Sequence, residues 1–137
     1  MMKRRIAISQ KLEKADLIIK NVRVADVFNL RWKKASIVIA DGHIIAIDEN
    51  NEFEAIETMD GKGQYAIPGL IDAHIHIESS MLTPYEFSRI LLPHGITTVI
   101  TDPHEIANVS GKDGLRFMIE DAKRAKRDIL YMLPSSV

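Results

Sequence analysis

The sequence predicts an α/β protein in two parts. A small antiparallel, sandwich-like β unit over residues 16–66 is followed by a strand–helix repeat over residues 67–137, after a short N-terminal arm at residues 1–15. Three observations predict this. Runs rich in β-branched residues crowd the first half. An Asp-Gly pair splits two of them in the manner of a hairpin. After Tyr65, short apolar runs of strand length alternate with segments of helical period.

In chain order, Met1 to Ala15 is polar and mixed, with Ile6, Ile8 and Leu12 spaced for a short helix or an arm. Leu17-Ile18-Ile19 and Asn21-Val22-Arg23-Val24 have strand composition, as does Ile37-Val38-Ile39. Asp41-Gly42 then separates that run from His43-Ile44-Ile45-Ala46-Ile47, because both central positions of a type I′ turn need positive φ. His43 opens the second strand of the hairpin and is read as a solvent-facing residue. Ala66 to Ile77 reads as a turn entering a buried strand. Thr83-Pro84-Tyr85-Glu86 is a capping box with proline at the first helical position, and Pro93 ends the helix it starts. Ile96 to Ile100 is a second strand. Leu115, Met118, Ile119 and Ala122 mark a second helix with a basic end that suits the helix dipole. Ile129 to Leu133 is a third strand. Strands alternating with helices imply parallel pairing with helical crossovers. Three strands and two helices begin either a doubly wound sheet or a (β/α)8 barrel, and periodicity does not choose between them.

Composition narrows the function classes. With 46% apolar and 27% charged residues and a formal net charge of -1, the chain has the balance of a soluble globular protein and no bias toward polyanions. The basic clusters at Lys3-Arg4-Arg5, Arg31-Trp32-Lys33-Lys34 and Lys123 to Arg127 read as solvated faces, so no nucleic-acid partner is expected. The absence of cysteine removes disulfides, thiolate metal sites and cysteine nucleophiles. No apolar run has the length of a signal peptide core or of a membrane span, so the expected setting is the cytoplasm, without a membrane partner.

The sharpest chemical feature is His74-Ile75-His76. In a strand, residues i and i+2 leave on the same face, about 7 Å apart by the rise per residue, and two neutral imidazoles there can converge on one metal ion. The plainer alternative is two histidines satisfied by local hydrogen bonds. Thr101-Asp102-Pro103-His104-Glu105 directly follows the second strand, at the carboxyl edge where parallel α/β folds carry functional groups. Asp102, His104 and Glu105 bring two carboxylates and an imidazole suited to general acid–base work or to orienting a ligand; a solvated turn capped by Asp102 fits equally. Glu78-Ser79-Ser80 sets a carboxylate and two hydroxyls on the loop after the histidines, suited to a polar substrate or simply to a hydrophilic loop.

Pro68 to His76, Pro-Gly-Leu-Ile-Asp-Ala-His-Ile-His, resembles the first-strand signature of the amidohydrolases, which bind one or two metals at the mouth of a (β/α)8 barrel. Ile77-Glu78-Ser79-Ser80-Met81-Leu82-Thr83-Pro84 is narrower and resembles the adenine deaminase family of that superfamily. So do Pro93 to Val99, Thr101 to Val109 and Leu133 to Val137, the last departing at Ser136, where many relatives carry cysteine. The resemblance covers nearly the whole chain, including the β unit, which the family builds from segments flanking its barrel. It implies that His74 and His76 are metal ligands and that Asp102, His104 and Glu105 lie at the catalytic site. It implies a divalent metal, manganese or iron, in a mononuclear or binuclear centre. The implied reaction is hydrolysis of adenine to hypoxanthine and ammonia by a metal-activated hydroxide, with a carboxylate relaying the proton. The expected partner is a small purine, and a homo-oligomer is compatible with the reading. The unrelated zinc deaminases that use Pro-Cys-x-x-Cys are excluded by the lack of cysteine.

Two alternatives stand beside this reading. Another amidohydrolase, such as a cyclic amidase or deacetylase, shares His-x-His but is expected to lack the Glu-Ser-Ser and Asp-Pro-His-Glu segments. A (β/α)8 barrel takes about 250 residues, so the expectation is an amino-terminal, truncated portion holding three strands. Such a portion can equally be a non-catalytic remnant whose last strand is an open edge.

Overall fold

A computed structural model of the chain describes residues 2–134. The chain forms two units, Met1–Pro68 and Gly69–Val137.

In the first unit, helix α1 (Met2–Ser9) precedes strands β1 (Ala15–Asp26), β2 (Arg31–Ala40), β3 (His43–Asp48), β4 (Ala55–Asp60) and β5 (Tyr65–Ala66). The β1–β2 and β2–β3 pairs are antiparallel, with Ile18 opposite Val38 and Val38 opposite Ala46. Asp41 and Gly42 close the β2–β3 hairpin with φ of 49° and 71°, the positive values that an Asp-Gly turn accommodates. His43 is exposed, with Nδ1 2.8 Å from the Asp41 carbonyl oxygen.

The antiparallel, sandwich-like unit expected over residues 16–66 is corrected in two respects. There is one sheet, in the order β3-β2-β1-β4, and β4 and β5 both pair with β1 in parallel. The cause is the connection after β3. Asp48 accepts the backbone N–H groups of Asn50, Glu52 and Phe53, and this turn leads the chain to the far edge of β1, where it enters parallel. β4 escaped the sequence reading because Glu57, Thr58 and Asp60 dilute its apolar residues and most of it is exposed. Of the short helix or arm read over residues 1–15, the structure forms the helix, α1. Ile8 is fully buried, in a cluster with Ala15, Ile18, Val38 and Ala40, so burial of one isoleucine ties the helix to the sheet.

Carboxylates in this unit, Asp26 and Asp16 among them, link stability to pH. Asp26 is held well below the usual carboxylate range by the Asn29 side chain, then by Lys33 and the Asn29 backbone N–H. Asp16 is lowered by Arg4, and next by the backbone N–H of Asp41. A carboxylate depressed by folding stabilises the native state above its unfolded pKa of about 3.9, and that contribution is lost as pH falls toward the folded value. Trp32, the sole tryptophan, lies on β2 and reports this unit alone. The urea midpoint by Trp32 fluorescence is expected to fall as pH drops from about 5 to 3, and Asp26→Asn to flatten the dependence. An equally steep curve in the variant would remove Asp26 as a cause.

In the second unit, β6 (Leu70–Ile75), β7 (Ile96–Thr101) and β8 (Asp128–Tyr131) form a parallel sheet in that order. The crossovers are α2 (Pro84–Leu91) and α3 (His104–Ala122). The Thr83 side chain caps α2 by accepting the Glu86 N–H. The helix tightens into a 3-10 turn at Leu92–His94, and Gly95 exits at φ 83°. Ile77, Phe87, Val99 and Met118 make the core between sheet and helices. β8 is shorter than the run expected through Leu133. No helix among the described residues is long and apolar enough to cross a membrane.

α3 begins earlier than the apolar period indicates, at His104, and is broken at Gly111 (φ 55°, ψ -142°). That backbone conformation is nearly restricted to glycine. A Cβ at Gly111 would meet no heavy atom within 4 Å, so replacement costs backbone strain without a clash. Gly111→Ala is expected to destabilise the chain by about 1–3 kcal/mol, seen as a lower thermal midpoint in far-UV circular dichroism. An unchanged midpoint would show that the break tolerates a side chain.

Candidate functional site

The carboxyl ends of β6 and β7 are locked together, because the Asp102 N–H donates to the Ile75 carbonyl over 3.0 Å. This places His74 of β6, His76 just past the end of that strand, and the segment after β7 at one edge of the parallel sheet. The ring centroids of His74 and His76 are 5.1 Å apart, and those of His76 and His104 are 4.7 Å apart. One possible ligand atom from each of His74, His76 and Asp102 falls within 4.8 Å of the others; so does one from each of His76, His104 and Glu105. The two histidines of the His-x-His pair thus point to one side, and His76 is common to both groups.

Hydrogen bonds set the tautomers. His76 Nδ1 lies 2.8 Å from the Asp102 carbonyl oxygen. A carbonyl only accepts, so Nδ1–H donates and Nε2 keeps a free lone pair. A histidine held in this way has the orientation typical of a metal ligand. His104 Nδ1 lies 3.2 Å from Asp102 Oδ2 and donates to it likewise. Asp102 Oδ1 is buried and has no hydrogen-bond partner among the described residues. A buried carboxylate oxygen without a hydrogen-bond partner suits a cation, and imidazole with carboxylate suits divalent transition metals. The residues present therefore fit such an ion.

The Glu78-Ser79-Ser80 segment is a 3-10 turn after β6. Ser79 Oγ donates to Glu105 Oε2 over 2.6 Å. Glu78 Oε1 accepts the Ile106 N–H in the first turn of α3, where a carboxylate complements the positive helix end. Ser80 Oγ donates to the Ile77 carbonyl and serves its own turn. Glu78, Ser79, Glu105, Ile106 and Val109 line a shallow cleft. Of the three loop residues, Ser79 touches a neighbouring candidate group, while Glu78 and Ser80 are engaged with backbone.

Tyr131, at the end of β8, donates to the Met118 carbonyl over 2.8 Å. Burial, then the Asp121 and Glu78 carboxylates, push its phenol well above the ordinary tyrosine value, so it stays a donor. Sequence reasoning passed over it because its run reads only as a strand. Of the Leu133 to Val137 motif, Ser135, Ser136 and Val137 lie outside the described residues.

Comparison with known proteins adds a lineage. Residues 65–137 match the amidohydrolase family. The adenine deaminase of Lysinibacillus sphaericus (strain C3-41) is 63% identical over 132 residues, which are 96% of this chain and 23% of that protein. The adenine deaminase of Listeria welshimeri is 53% identical over 133 residues, 97% of this chain and 23% of that protein. The chain thus spans about a quarter of the length of these curated relatives. Among solved structures, the N-acyl-D-glutamate deacylase of Bordetella bronchiseptica, complexed with zinc and a phosphonate inhibitor, superposes with a TM-score of 0.53 at 30% identity; the match covers 65% of this chain and 19% of the deacylase.

Proposed function

This chain belongs to the amidohydrolase family, and we propose that it carries the first part of the catalytic site of an adenine deaminase. The observation that carries the reading is the meeting of His74, His76 and Asp102 donor atoms within 4.8 Å at the carboxyl edge of a parallel sheet. The narrower choice of adenine as substrate is supported by the adenine deaminases to which nearly the whole chain is similar. On this reading β6, β7 and β8 are the first three strands of a (β/α)8 barrel.

His74 and His76 would hold a divalent metal, manganese or iron, in a mononuclear or binuclear centre. Such an ion, when bound, supplies Lewis acidity and lowers the pKa of water. The residues of the chain do the rest. Deamination adds water at the ring carbon that bears the amino group and expels ammonia, so a proton must pass from water to the leaving nitrogen. Asp102, His104 and Glu105 are the groups at this edge able to hold and move it. The hydrogen bond from Ser79 orients the Glu105 carboxylate. The Asp102–His104 bond leaves Nε2 of that imidazole free to face a substrate. Glu78, Ser79 and Ser80 border the space a purine would enter, with Ser79 the one hydroxyl free of its own turn.

The test uses the chain extended to the length of its relatives, loaded with manganese. Conversion of adenine to hypoxanthine is expected. Hydrolysis of N-acyl amino acids without deamination would overturn the reading in favour of a deacylase, the activity in the name of the Bordetella protein.

A further inference from the structure

We infer that Asp102 is a third metal donor, through Oδ1, and that His104 is the positioning residue that holds its carboxylate. The inference rests on the metal reading of His74 and His76 and extends it to β7.

Two overlapping donor groups share His76, and its single free nitrogen, Nε2, serves one ion at a time. The groups are therefore alternatives, and four observations favour His74–His76–Asp102. Asp102 Oδ1 is buried without a partner among the described residues, whereas Oδ2 is taken by His104. A buried carboxylate oxygen without a partner is relieved by a cation. Glu105, by contrast, already accepts from Ser79. His104 and Glu105 also stand in the first turn of α3, where the positive end of the helix dipole opposes a cation. Finally, His76 donates to the Asp102 backbone carbonyl, so one residue orients an imidazole with its carbonyl and offers a carboxylate oxygen beside it. His104 to Asp102 to metal is then a chain in which an outer group fixes an inner ligand.

The experiment is cobalt(II) binding to the 137-residue chain, read by the visible absorption of the bound ion and by competition with a chelating indicator. The unaltered chain is expected to bind one ion. Asp102→Asn and His74→Ala should each weaken binding strongly. His104→Ala should weaken it by about 10- to 100-fold, the usual effect of losing an outer partner. His104→Asn, which keeps an N–H donor but no imidazole, should recover most of that loss, and Glu105→Gln should change little. A folded unaltered chain that binds no cobalt overturns the metal reading and this inference with it. Binding that survives Asp102→Asn overturns the role of Asp102 alone. Should that variant misfold by circular dichroism, His74→Ala decides instead. Its binding unchanged, with Glu105→Gln and His104→Asn both deficient, would assign the ion to His76–His104–Glu105.

Discussion

Purified 137-residue chain supplied with manganese is expected to release no measurable ammonia from adenine, while the chain extended to the length of its relatives is expected to turn adenine over. The reason is coordination and enclosure. His74, His76 and Asp102 all lie at one edge of a three-stranded sheet, and His74 is exposed. Catalytic centres of this kind surround the ion with ligands from several directions and keep one position open for water or substrate. Here every donor approaches from one side, and the cleft by Glu105 is shallow. A purine bound there would keep most of its hydration, and the charges that develop on it would be stabilised in water-like dielectric, where the same groups are worth several-fold less. Ion binding and turnover are thus expected to separate in this chain, with cobalt bound and adenine untouched. The check is an ammonia assay on both proteins. Turnover by the short chain that disappears in His74→Ala would mean that it builds a working site by self-assembly, and the coordination argument would be wrong.

Local chemistry was legible in the sequence, and non-local pairing was not. The Asp41-Gly42 turn, the Thr83 cap with Pro84 behind it and the three parallel strands follow from spacing and turn residues that act within a few positions. The rings of His74, in β6, and His76, just past its end, stand 5.1 Å apart between centroids, two positions apart as the His-x-His spacing sets them. β4 lies beyond that reach. It is polar and exposed, and its parallel pairing with β1 depends on a turn organised by Asp48, whose sequence says only loop. The start of α3 at His104 was hidden for a related reason. Its first turn is bonded to Glu78, 28 positions earlier, so the helix end is completed by the chain fold and not by a local cap. The site shows the same limit. Asp102, His104 and Glu105 read as three polar groups after a strand, but their division of labour lies in which atom meets which. One carboxylate oxygen is held and the other left bare, and one imidazole is pinned by a backbone carbonyl. Spacing along a chain carries no information on those contacts.

His76→Ala is expected to be the most damaging single change for activity, lowering kcat/KM of the extended protein by about 10^3-fold or more, as expected when a metal ligand is lost and water is no longer acidified. His76 is shared by both donor groups, so its loss leaves neither three-residue set among the described residues, whereas loss of His74 spares one and loss of Glu105 the other. It also donates to the Asp102 carbonyl, and its removal frees the backbone that carries the Asp102 carboxylate. The fold should survive. His76 follows β6 outside the core formed by Ile77, Phe87, Val99 and Met118, and the β6–β7 link from Asp102 N–H to the Ile75 carbonyl is backbone only. The thermal midpoint without metal is therefore expected to move by no more than a few degrees. The two readouts together make the assignment testable. Activity lost with the metal-free midpoint kept, and with the stabilisation by added manganese abolished, is the expected pattern, since a ligand that binds only the native state raises its stability. Activity retained within about tenfold, a change of only about 1.4 kcal/mol in barrier, would show that His76 does not hold the ion.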